Sequence, residues 1–226
     1  MLRDLAIGGT CLAAGLVIGF WGSNSLNRNA ALTGPEALLS QANTTQTEMS
    51  GSQPTSGLQP NIGEVLTAAE QQPENFVTQM KAGDLYAQIG KFDKAIEFYK
   101  KGVALRPNDV QANLVLANAY FDAGEFGNAG GVYAQVLEAD PKNVAARTDL
   151  GTTFVERPQP DFERAIKEFN TVLEADPGNE AALYNLAVAH SRKGDQNSAK
   201  ETLAALEKAK PASELISKLR QKIGAN

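Results

Sequence analysis

One spacing constrains this chain more than any other: proline recurs at Pro107, Pro141, Pro177 and Pro211, at intervals of 34, 36 and 34. Alanine keeps the same step at Ala95, Ala129, Ala165 and Ala199, and a large apolar residue follows four positions later at Tyr99, Tyr133, Phe169 and Leu203. A second set, Gly83, Ala117, Gly151 and Ala187, runs at 34, 34 and 36, each member followed three positions on by Tyr86, Tyr120, Phe154 or His190. The surplus in the third unit therefore lies between Phe154 and Phe162. Self-similarity at this period marks a stacked array in which no unit buries its apolar face alone.

Within a unit the apolar residues take helical spacing, as in Leu114, Ala117 and Tyr120 and again in Ala129, Val132, Tyr133 and Val136. Two amphipathic helices per unit follow, so the predicted fold class is all-α. Small residues at Ala117 and Ala129 suit a close helix crossing. Gly90, Gly124 and Gly194 suit a left-handed turn between helices, and each proline stands where a second helix must end.

The residues that keep this register resemble the tetratricopeptide repeat family, whose pattern is L-G/A-x-x-Y, a turn, A-x-x-x-F/Y and a closing Pro. The second unit, 110–143, shows Leu116-Ala117, Tyr120, Gly124, Phe126, Ala129, Tyr133 and Pro141 in register. Units at 76–109, 144–179 and 180–211 follow, the third carrying the two-residue insertion in its turn around Pro158-Gln159-Pro160. The stretch 61–75 reads as a degenerate half repeat, because Pro73 stands one full period before Pro107, and 212–226 as a C-terminal solvating helix with Leu215, Ile216, Leu219 and Ile223 on one stripe. The resemblance implies a superhelix of antiparallel helix pairs.

Residues 1–4 form a short tail, and 5–22 carry no charge and are mostly apolar. As a helix this stretch reaches about 27 Å, close to the roughly 30 Å of a bilayer core. It is expected to be a single-pass membrane anchor; the competing reading is a cleaved secretory signal. Basic residues near the span weakly favour an inside N-terminus, placing the repeats in the periplasm if the source is bacterial, with secreted or cytoplasm-facing repeats as the alternatives. Cys11, Gly15 and Gly19 recur at every fourth position, a small-residue stripe that would let two anchors approach as a homodimer. Residues 23–60 are rich in Asn, Ser, Thr, Gln, Gly and Pro and read as a disordered tether.

Net charge is −5, and the stretch before Phe76, with two basic and six acidic side chains, holds most of it. Without a basic face, nucleic-acid binding is not expected. No catalytic, cofactor or metal site is expected either. The single histidine, His190, falls on the packing stripe, and the repeats contain no cysteine to complete a metal site. Gly127, Gly130 and Gly131 lack the Lys-Ser/Thr of a phosphate loop and fall where the frame demands a helix.

What the resemblance implies instead is a surface. In this family the first helices line a groove that holds a partner segment, and the corresponding positions here are Met80, Asp84, Ala87 and Gln88; Leu114, Asn118, Phe121 and Asp122; Thr148, Thr152, Val155 and Glu156; and Tyr184, Val188, Ser191 and Arg192. Val77, Gln111, Ala145 and Ala181 stand at the entrance. These residues predict an apolar groove with an acidic edge, suited to a protein or peptide segment with apolar anchors. The family's carboxylate-gripping set does not match, since Met80, Asp84, Val115, Ala145 and Asp149 stand at its positions. The function expected is a non-catalytic, membrane-anchored scaffold for protein binding, with an assembly role in the cell envelope as one setting. The alternative is a self-associating membrane protein that uses the array as a spacer.

Overall fold

A computed structural model describes residues 62–225, and among them every regular element is helical. The ten helices are α1 (Ile62–Gln71), α2 (Phe76–Gln88), α3 (Phe92–Leu105), α4 (Val110–Asp122), α5 (Phe126–Ala139), α6 (Val144–Glu156), α7 (Phe162–Ala175), α8 (Glu180–Lys193), α9 (Gln196–Ala209) and α10 (Leu215–Ile223). Helices α2–α3, α4–α5, α6–α7 and α8–α9 form four pairs, each packed on the next. The expected anchor, the tether and Cys11, Gly15 and Gly19 lie outside the described residues. Among the described residues no helix is long and apolar enough to cross a membrane.

Punctuation by short polar side chains starts each pair. Asn75, Asp109, Asn143 and Asn179 recur at the repeat spacing, and each side-chain oxygen accepts a backbone N–H from the first turn of the following helix, at 3.1, 3.0, 2.9 and 3.0 Å. Such a cap contributes about 1 kcal/mol by satisfying an otherwise orphaned donor. The turn glycines Gly90, Gly124 and Gly194 have φ of 71°, 78° and 94°, the left-handed region in which a side chain is strained. In the third unit the insertion lengthens only this turn, with α6 ending at Glu156 and α7 beginning at Phe162. Arg157 braces the longer turn, donating from Nε to the Gln159 carbonyl at 2.7 Å and pairing with Asp161 at 3.1 Å.

The core is shared between neighbours rather than enclosed by one unit. Ala95, Ile96 and Tyr99 of the first unit cluster with Leu116 and Ala119 of the second. Val155, Ala165 and Phe169 of the third cluster with Leu186 and Ala189 of the fourth. Ala117 and Ala129 have no exposed surface, as the close crossing requires. At the ends, Ala69 of α1 packs with Ala82 and Phe98, while Leu215, Leu219 and Ile223 of α10 cover Leu183, Tyr184 and Leu206. Ser213 stands just before α10, its hydroxyl accepting the Leu215 N–H at 3.0 Å. Gly127, Gly130 and Gly131 lie within α5.

Candidate binding face

The sixteen groove positions all lie on the first helices α2, α4, α6 and α8, but most of the large apolar side chains among them are not available to a partner. Phe121 is 1 % exposed, and Leu114, Val155, Tyr184 and Val188 are buried with it. Thr148 and Thr152 are buried too, their hydroxyls donating back to the carbonyls of Val144 and Thr148. The expectation of exposed apolar anchors is thus overturned. The physical reason is the stacking itself: a first helix is flanked on both sides, so the stripe predicted to face a partner instead meets the next unit. Leu114 and Phe121 join Ala146 and Leu150 of α6 in one cluster, and Phe121 meets Phe126 edge-to-face at 5.3 Å. Tyr184 and Val188 are covered by α10.

The acidic edge is largely spent within the fold. Glu156 of α6 pairs with Arg192 of α8 at 2.8 Å, which places these two first helices within ion-pair reach and takes the Glu156 carboxylate from the predicted edge. Lys222 of α10 closes the same end, above a cleft of about 10 Å³ between Val155, Phe169 and Val188 that has room for about one water. Burial pushes the Lys222 ammonium below the usual lysine range, and the nearby Glu156 opposes that shift. Arg220, also on α10, pairs with Glu207 of α9 at 2.8 Å.

Asp84 of α2 accepts a hydrogen bond from the Tyr99 hydroxyl at 2.7 Å, and Asn118 of α4 accepts one from the Tyr133 hydroxyl in the equivalent place. Burial raises the Asp84 carboxyl above its ordinary value, and the Tyr99 bond partly offsets that rise. Burial also drives the Tyr99 hydroxyl far above its usual range, with the neighbouring Asp84 carboxylate adding to the effect. In the third and fourth units Thr152 with Phe169 and Val188 with Leu203 stand at these positions, so the polar pairing gives way to apolar packing along the array. Sequence reasoning missed the two tyrosine bonds, although the signal was present: a hydroxyl was kept at a fully buried position where Phe169 and Leu203 serve elsewhere.

Of the predicted residues, Gln88 and Arg192 are exposed or nearly so, while Met80, Asp84, Asn118, Asp122 and Glu156 are half-buried. Met80 fills the space left by the missing side chain of Gly102. At the entrance Val77 is 46 % exposed, and Gln111 is exposed as well. The accessible part of the predicted face is therefore mostly polar, with Gln88 on α2, Gln111 on α4 and the ion-paired Arg192 on α8. Among the described residues no group of three or more His, Cys, Asp or Glu side chains could hold a metal ion. A wider recess of about 350 Å³, between α9 and α10 beside Pro211, Ile216 and Arg220, includes none of the predicted site residues.

Comparison with known proteins agrees with this architecture. The chain is 27 % identical over 128 residues to the tetratricopeptide repeat protein 21 homolog of Caenorhabditis briggsae, covering 57 % of this chain and 10 % of that protein. It thus spans about a tenth of the length of the curated relative it matches. Among solved structures, a crystal structure of MamA superposes with a TM-score of 0.59 at 23 % identity, over 66 % of this chain and 86 % of that one. MamA from Desulfovibrio magneticus RS-1 superposes with a TM-score of 0.60 at 18 % identity, over 85 % and 98 %. These likenesses show the fold. A TPR repeat model matches residues 83–124, and two tetratricopeptide repeat models match 114–158 and 159–223. The three matches run without a gap over the helix pairs seen in the structure, and by them the chain belongs to the tetratricopeptide repeat family.

Proposed function

We propose that this chain is a non-catalytic scaffold that binds a segment of another protein along the face of its first helices. The observation that carries this reading is the continuity of that face. The first helices α6 and α8 lie within ion-pair reach of each other, as Glu156 and Arg192 demonstrate, on a framework that buries most of the large apolar side chains of this face. Its accessible groups are the amides of Gln88 and Gln111 and the methyl groups of Val77, so the partner is read by hydrogen bonds with one small apolar contact. Phe121 and Tyr184 belong to the core and offer the partner no aromatic anchor.

The uncharged stretch 5–22 supports the further reading that the scaffold is held at a membrane, with the Cys11, Gly15 and Gly19 stripe pairing two anchors and envelope assembly as its setting. The binding face is tested by placing a photo-crosslinking residue at Gln88 or Gln111 and, for comparison, at the exposed Lys100 or Glu138 of the second helices. Discrete crosslinked partners are expected from the first pair only. Equal products from both pairs, or products from the second pair alone, would overturn the assignment.

A further inference from the structure

His190 is the only histidine of the chain, and it stands where the other units carry Tyr86, Tyr120 and Phe154. It lies in the last turn of α8 with a side chain 16 % exposed. Its Nδ1 is buried and makes no hydrogen bond. The nearest acidic oxygen is Oδ2 of Asp195, at 3.8 Å. That same Oδ2 accepts the Ser198 hydroxyl at 2.7 Å, while Oδ1 accepts the Ser198 N–H at 3.1 Å, and together these bonds cap α9. The Asp195 N–H in turn donates to the His190 carbonyl at 2.9 Å. The imidazole and the α9 cap are therefore parts of one turn.

We propose that this turn is a proton-sensitive joint: in mild acid, protonated His190 competes for the Asp195 oxygen that caps α9 or leaves its packing site, loosening the last helix pair while the earlier units stay closed. An unbonded nitrogen of a neutral imidazole costs far less in the interior than a buried imidazolium, which requires a partner. The charged groups around it are Lys193 on α8, Asp195 in the turn, Glu201 on α9 and Glu163 on α7, with Lys193 itself paired to Glu163 at 2.6 Å. Burial outweighs the three carboxylates and holds the imidazole below the ordinary histidine value, with Lys193 acting in the same sense. The open joint thus binds the proton more tightly than the closed one. Its stability is complete above about pH 6.5, the unperturbed histidine value, and falls as pH descends from there to the lowered value of the closed state. Coupling between neighbours in a repeat array confines the loosening to the last unit and α10.

The test uses the full chain without a histidine tag. The His190 ring resonances are titrated by NMR, and amide exchange is followed for residues 196–209 and 92–156 after correction for the intrinsic rate. His190 is expected to titrate below free histidine. Protection in 196–209 should drop about tenfold between pH 7 and the end of the titration for each pH unit of that displacement, with 92–156 less affected. His190→Phe, which restores the residue type of Phe154, should abolish the extra pH dependence, and Asp195→Asn should lower the titration midpoint further. Titration at or above the free value, uniform loss of protection along the array, or an unchanged pH dependence in His190→Phe would each overturn the joint. The wild-type titration and exchange data decide even if a variant folds poorly.

Discussion

Two glycines within helices offer a matched test of the stacking. At Gly151 in α6 an added methyl carbon would stand 2.6, 2.9 and 3.0 Å from three ring atoms of Phe169, a side chain with no exposed surface and no room to turn. At Gly131 in α5 the same carbon would meet nothing within 4 Å. Both substitutions to alanine gain about 1 kcal/mol of helix propensity. Only Gly151→Ala adds an overpacking cost of about 1 to 3 kcal/mol. Because the propensity gain is common to both, the difference between the variants isolates the contact term. Gly131→Ala should therefore raise stability by about 1 kcal/mol, and Gly151→Ala should fall about 1 to 3 kcal/mol below it. Urea unfolding of the two variants and the parent measures this, provided the slope of the transition stays constant. Equal midpoints for the two variants would refute the claim that ring and backbone touch at the third helix crossing.

Ala129→Leu at the fully buried α4–α5 crossing should cost about 1 to 3 kcal/mol, read as a lower melting temperature; an unchanged midpoint would break the assigned register. Asp84→Asn keeps an acceptor for the Tyr99 hydroxyl, as Asn118 does for Tyr133, while removing a desolvated charge. Because the folded state holds the Asp84 proton more tightly than the unfolded chain, ionised Asp84 weakens folding at neutral pH, and that penalty fades as pH falls through its raised value. The variant should thus be the more stable at pH 7, and its advantage should shrink toward acid. A variant that is less stable at pH 7 and equally so in acid would show that the bond, not the charge, dominates.

Much of the fold could be read from the residues before any coordinates, because its determinants are local. Left-handed turns select Gly90, Gly124 and Gly194; close crossings select alanine or glycine; and Pro158 with Pro160 oppose helix, so the insertion settles in a turn. Each of these constraints acts over a short span of chain and leaves its mark at a fixed period. The binding face was not legible in the same way. Leu114, Phe121, Val155, Tyr184 and Val188 lie on a stripe whose neighbour is set by the rotation from one unit to the next, and no local pattern encodes that rotation. Burial of Tyr184 and Val188 depends on α10, which lies beyond the whole of α9 in the chain, folding back over α8. The pairing of Glu156 with Arg192 likewise joins side chains from successive units. Helix pairs, their turns and their number were therefore written into the chain by short-range constraints. Which side chains the stacking consumes was settled only in the assembled array, because burial depends on contacts between units rather than on spacing within them.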